Sequence, residues 1–95
     1  MLPSYLFTTR DKDMPAKIIK RTQSGVRIEA SLLKVLKALA EYLDMSLGDL
    51  LEGMALHCFD GKAPFGDETL AAIAGLKKVY GCELDASDSH NMKEE

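Results

Sequence analysis

Arg21, Gln23 and Arg27 stand at alternate positions of Lys20-Arg-Thr-Gln-Ser-Gly-Val-Arg-Ile28, and Gly25 completes their row. In an extended chain, successive side chains point to opposite faces. One face then carries two guanidinium groups and a carboxamide, all hydrogen-bond donors, two of them permanently charged. Thr22, Ser24, Val26 and Ile28 form the other face, which turns apolar towards its end. Lys12, Lys17 and Lys20 add charge beside the row. This is chemistry for holding an anionic, acceptor-rich partner.

The wider charge distribution points the same way. The whole chain of 95 residues has net charge −3. Residues 1–40 hold eight Lys and Arg against three Asp and Glu, whereas residues 41–95 hold four against twelve. A basic part joined to an acidic part suits binding of a polyanion at one end.

Other chemistries find little support. His57 and Cys58 are adjacent, but no further ligand has metal-site spacing, so no metal or cofactor is expected. Cys82 and His90 suggest no chemistry. Gly61-Lys62 lacks the remaining glycine and the Lys-Ser/Thr end of a phosphate loop. No nucleophile, base and orienting group emerge together, so the protein is not expected to be an enzyme. No apolar run reaches the length of a membrane span and Tyr5–Thr9 is no secretory core, so a cytoplasmic protein with reduced thiols is expected.

The elements that position the basic row follow from periodicity. Residues 1–16 show no period and read as a flexible arm, with Met14 as an alternative start to Met1. Residues 20–28 read as the one strand. A helix is expected over 30–43, from Leu32, Leu36, Leu39 and Leu43 widened by Leu33, Val35 and Ala40. Its stripe is broad enough to be covered on more than one side, and Lys34, Lys37 and Glu41 lie opposite. Ser46 reads as the N-cap of a second helix over 47–58, with Asp49 as its capping-box partner. That helix buries Leu47, Leu50, Leu51, Met54, Ala55 and Cys58, and Phe59 closes its end. After the loop 61–66, Asp67 caps a third helix over 68–80, with Leu70, Ile73, Leu76 and Val79 or Tyr80 on its apolar face. Gly81 follows as a glycine stop. The third helix is expected to cover the second, and residues 83–95 read as a disordered polar tail.

Strand, helix, short turn, helix cannot close a core in one copy, but two copies can. In this order and spacing the chain resembles the ribbon-helix-helix family, of the Arc and MetJ repressor type. The resemblance covers about 40 of the 95 residues. It rests on Gly25 and Arg27 in the strand, the stripe Leu32, Leu36, Leu39, Ala40 and Leu43, the turn Leu43-Asp-Met-Ser46, and the stripe Leu50, Leu51 and Met54. It implies a mainly α fold with one β-strand: an intertwined homodimer with a two-stranded antiparallel ribbon, here carrying an extra C-terminal helix. Its dimer core would be Val26, Ile28, Leu32, Leu36, Leu39, Leu43, Leu50, Leu51 and Met54.

The resemblance also implies a sequence-specific DNA-binding transcriptional regulator whose ribbon enters the major groove. Arg21, Gln23, Gly25 and Arg27 would occupy the base-reading positions. Arginine can bond guanine O6 and N7 together, and glutamine can bond adenine N6 and N7. Phosphates would be met by Lys17, Lys20, Lys34 and Lys37, and by Ser46, Leu47 and Gly48 at the second helix start. The expected partners are a second copy of the chain and double-stranded DNA. Asp44, Asp49 and Glu52 beside that anchor motivate an alternative, a dimeric protein-interaction module without DNA binding. An antitoxin lies between the two, with residues 61–95 taking a protein partner.

Overall fold

The structure is a computed structural model that describes residues 16–95 of the chain. The arm expected over 1–16, and the choice between Met1 and Met14, fall outside the described residues apart from Ala16. Three helices follow in order: α1 (Ala30–Tyr42), α2 (Leu47–Phe59) and α3 (Asp67–Tyr80), then a short 3-10 turn, Ala86–Asp88.

The largest correction concerns residues 20–28. Among the described residues there is no strand, and residues 16–29 carry no regular secondary structure. The fold is all-helical, not a ribbon-helix-helix fold with one strand per chain. The physical reason is pairing. A strand is stabilised by a ladder to a neighbour, and among the described residues every long element is a helix. The expected two faces do not separate either. Thr22, Ser24 and Val26 are exposed like Arg21, Gln23 and Arg27, and only Ile28 is half-buried.

α1 is central, because the backbones of both α2 and α3 approach it closely. That accounts for its broad stripe: Val35, Leu39, Ala40 and Leu43 are buried. The core is Leu39, Ala40, Leu43 and Leu50, with Leu36, Met45, Met54, Phe65, Ile73 and Leu76 packed around it. Each leucine buried there contributes roughly 1.5–3 kcal/mol of transfer free energy. The backbone of α3 runs closest to α1, and Ile73 and Leu76 pack on the core that α1 shares with Leu50 of α2. The inward residues of α3 are Thr69, Ile73 and Leu76, while Leu70, Val79 and Tyr80 are exposed.

The caps explain where the helices begin and end. Glu29 starts α1, its carboxylate accepting from the Leu32 amide at 2.8 Å and the Ser31 hydroxyl at 2.7 Å. Ser46 caps α2, its hydroxyl accepting from the Asp49 amide at 3.1 Å. Gly66, not Asp67, caps α3, and it does so without a side-chain bond.

All three helices stop in the same way. A residue with left-handed backbone follows each: Asp44 (φ 58°), Gly61 (φ 71°) and Gly81 (φ 66°). The next amide then reaches back five residues: Met45 to Ala40, Lys62 to His57, and Cys82 to Lys77. These bonds satisfy carbonyls that a helix end leaves open. Two of the three donors, Met45 and Cys82, also turn their side chains into the interior.

Candidate nucleic-acid interface

The basic stretch 16–29 lies along the outside of this bundle. Lys17, Lys20, Arg21, Gln23, Gly25 and Arg27 are all exposed. Space around Gly25 is open, so no contact among the described residues demands glycine there. Lys34 and Lys37 are exposed on α1, away from its packed face.

The stretch is not independent of the helices. Ile19, Lys20, Arg21 and Thr22 share a shallow concavity with Ser46, Gly48, Asp49 and Glu52 of the α2 start. Within it, the Arg21 Nε and Nη2 atoms donate to the two Glu52 carboxylate oxygens, each at 2.9 Å. Asp49 stands 3.9 Å from the same guanidinium. This two-bond fork is the geometry arginine makes with planar oxyanions. The Glu52 hydrogen bond raises the Arg21 pKa, and the same bond lowers that of Glu52. Both side chains remain well exposed, 61% and 47%, so solvent screens the pair.

Arg27 is engaged differently. Its Nη2 donates to a Glu94 carboxylate oxygen. Residues 27–30 and 92–95 line an open groove of about 590 Å³ around that contact. The two arginines expected to read an external partner are thus both in contact with carboxylates of their own chain.

The residues expected at a phosphate anchor do meet at the start of α2. Ser46 and Gly48 are exposed there, and Leu47 is half-buried. The helix start offers partial positive charge. Against it stand Asp49 in the first turn and, around a neighbouring concavity, Glu41 and Asp44. The Asp49 carboxylate lies towards Arg21, and Ser46 takes the Asp49 amide, so the expected capping box forms in its first half. As an anion site this helix start depends on Arg21 and Lys20 for its positive charge.

The residues expected in a dimer core divide. Leu39, Leu43 and Leu50 are buried within one chain, with Leu36 and Met54 against them. Leu32, Leu51 and Ile28 are half-buried, and Val26 is 72% exposed. Cys58, expected inside, is exposed, and Phe59 is 82% exposed and closes nothing. α2 is apolar around most of its circumference, yet only Leu50 is buried on it. Leu47, Leu51 and Ala55 are half-buried, and Leu56 and Phe59 keep exposed apolar surface on this helix among the described residues.

Sequence reasoning placed Glu52 near the helix start but not on Arg21, and it missed Glu94 on Arg27. The first had a signal in the acidic residues around Ser46. The second had none, because that contact spans 67 positions.

Among the described residues no group of His, Cys, Asp or Glu is arranged to hold a metal ion. No described helix is long and apolar enough to cross a membrane. No family model, curated protein or solved structure matches the chain.

Proposed function

We propose that the protein is a homodimeric, duplex-DNA-binding transcriptional regulator that meets DNA through the basic stretch 16–29. The observation that carries this reading is the exposure of Lys17, Lys20, Arg21, Gln23 and Arg27 on one stretch beside the start of α2. Lysines there neutralise phosphates, and arginine and glutamine can donate in pairs to guanine and adenine edges. The expected readers remain Arg21, Gln23 and Arg27 around Gly25, without the ribbon once expected to present them. Lys34 and Lys37, with the Ser46–Gly48 helix start, supply further phosphate contacts.

Dimerisation is supported by α2. A helix apolar on most sides is stable when covered on most sides, and among the described residues Leu56 and Phe59 stay exposed on it while Leu47, Leu51 and Ala55 are only half-buried. A second copy laid on Leu47, Leu51, Ala55 and Phe59 completes the burial and doubles the basic stretches. Sedimentation then gives twice the 10.4 kDa chain mass, and Leu51→Glu returns it to one. A cytoplasmic location agrees with Cys58 and Cys82 both being free thiols.

The test is titration of fluorescent duplex DNA at about 50 mM and about 200 mM salt. The reading predicts measurable affinity that falls steeply with salt, and weaker binding by Arg21→Ala/Arg27→Ala. Equal affinity of that variant and the native chain would overturn it. No binding even at the lower salt favours the second reading, a dimeric protein-interaction module without DNA binding. The carboxylates on both arginines are the observation that favours that alternative.

A further inference from the structure

We propose that the acidic stretch 83–95 is an intrachain competitor for DNA at Arg27. This rests on the DNA reading above and adds to it a device that sets how tightly DNA is held.

The course of the chain after α3 is guided by its own bonds. Cys82 is buried at the end of α3. The Lys77 ammonium donates to the Leu84 carbonyl at 2.5 Å, holding the chain against the helix it has just left. Asp85 and Asp88 then cap the Ala86–Asp88 turn reciprocally. The Asn91 amide donates to the Asp88 carbonyl at 2.9 Å, and His90 takes left-handed backbone at φ 61°. This turn redirects residues 92–95 to the groove beside residues 27–30.

Charge complementarity then fits the occupant. Residues 83–95 carry Glu83, Asp85, Asp88, Glu94 and Glu95 against Lys93 alone. Residues 16–29 carry Lys17, Lys20, Arg21 and Arg27 against Glu29 alone. Glu94 is already seated on the Arg27 guanidinium. A carboxylate and a phosphate present similar oxygens to arginine, so they compete for the same donors. Because Glu94 is on the same chain, its effective concentration is high whatever the protein concentration. DNA must displace it to use Arg27. A site that offers Arg27 only a stray phosphate gains little from doing so, whereas one that offers a good acceptor pair gains more. The competitor therefore lowers affinity by one common factor for every DNA that must displace it, and by less for a binding mode that leaves Arg27 unused.

The experiment compares four full-length chains by anisotropy titration of duplex DNA at low salt: native, E94Q/E95Q, Arg27→Ala, and Arg27→Ala with E94Q/E95Q. The expected result is about two- to fivefold tighter binding by E94Q/E95Q than by the native chain, the size of one exposed ion pair. In the Arg27→Ala background the same neutralisation has no effect. An equal gain in both backgrounds would mean general repulsion of DNA by the acidic part and would overturn the proposal, as would no gain in either. Binding by E94Q/E95Q but not by the native chain supports it strongly. No binding by any of the four overturns the DNA reading, and this proposal with it.

Discussion

Arg21 and Arg27 lie six positions apart in one stretch without regular structure, and both contact a carboxylate of the same chain. The two carboxylates belong to different kinds of neighbour. Glu52 stands on α2, a helix capped by Ser46, closed by the turn at Gly61 and fixed to α1 by the fully buried Leu50. Glu94 stands in residues 91–95, which carry no helix or strand. Arg21 meets its partner through a two-bond fork, with Asp49 near, whereas Arg27 meets Glu94 through one nitrogen. The first contact joins the stretch to the bundle. The second joins two exposed side chains and ties the stretch to no helix. An electrostatic contact is as durable as the backbone behind it, because solvent-screened charges alone add little.

This contrast depends on α2 being firmly held, and the largest expected effect comes from loosening it. Leu50 has no exposed surface, and Leu50→Ala should destabilise the chain by about 2–5 kcal/mol in chemical denaturation. The same change should release Arg21 from Glu52 while leaving Arg27 and Glu94 in contact at low denaturant. A loss below about 1 kcal/mol would mean that α2 is not anchored through this residue.

A smaller effect separates the arginines under the proposed DNA-binding function. Arg27→Ala should weaken specific binding by roughly 1–3 kcal/mol, since each lost base contact is of that order. It should leave the melting temperature nearly unchanged, because the side chain is 85% exposed. Arg21→Ala should weaken DNA binding as well but also loosen the stretch from α2, seen as faster amide exchange over residues 19–22. Matching exchange in the two variants would erase the distinction drawn between them.

The helices were legible in the sequence and the conformation of the basic stretch before them was not. Leu32, Leu36, Leu39 and Leu43 recur at helical spacing, Ser46 is a strong cap, and Gly81 a strong stop. These are local signals, and α1, α2 and α3 lie within one residue of the bounds they suggest. Alternation at Arg21, Gln23, Gly25 and Arg27 is local too, but a strand is decided by its neighbour, which no local pattern supplies. The face of α3 was misjudged for a related reason. Leu70 is more apolar than Thr69, yet α3 meets α1 through Thr69, Ile73 and Leu76, a choice made by the approach of another helix. Phe65, read only as part of a loop, packs on the core because the loop crosses it. The candidate site was legible as basic residues and illegible as pairs, since Arg21–Glu52 and Arg27–Glu94 join residues 31 and 67 positions apart.

The α1–α2 corner sharpens the contrast further, because it sets where Glu52 stands relative to Arg21. Asp44 occupies the left-handed position there, φ 58°, where the other two helices use glycine. Left-handed backbone strains a side chain that has a Cβ. Asp44→Gly should therefore raise stability by about 0.5–1 kcal/mol, once the greater freedom of glycine in the unfolded chain is subtracted. Thermal denaturation checks this, and a loss of stability would show that the Asp44 carboxylate contributes something its exposure does not reveal.

The smallest expected effect concerns the Arg21–Glu52 pair itself, and its signature is pH. Hydrogen bonding to Arg21 lowers the Glu52 pKa below its ordinary 4.5, so the folded chain binds that proton less readily than the unfolded chain. The pair's contribution is therefore fully present above pH 4.5 and disappears as pH falls through the depressed folded value. Glu29, lowered by the Ser31 hydroxyl and then the Leu32 amide, adds a loss of the same sign at the start of α1. Glu52→Gln should lower the melting temperature by no more than a few degrees near neutral pH, and added salt should shrink the difference. At acid pH, where Glu52 is protonated in both states, native and variant chains should melt together. The Glu29 loss is common to both and cancels in that comparison. A difference that persists undiminished into acid would show that Glu52 acts on α2 through packing, not through Arg21, and the firm contact of the pair would then be no firmer than the one at Arg27.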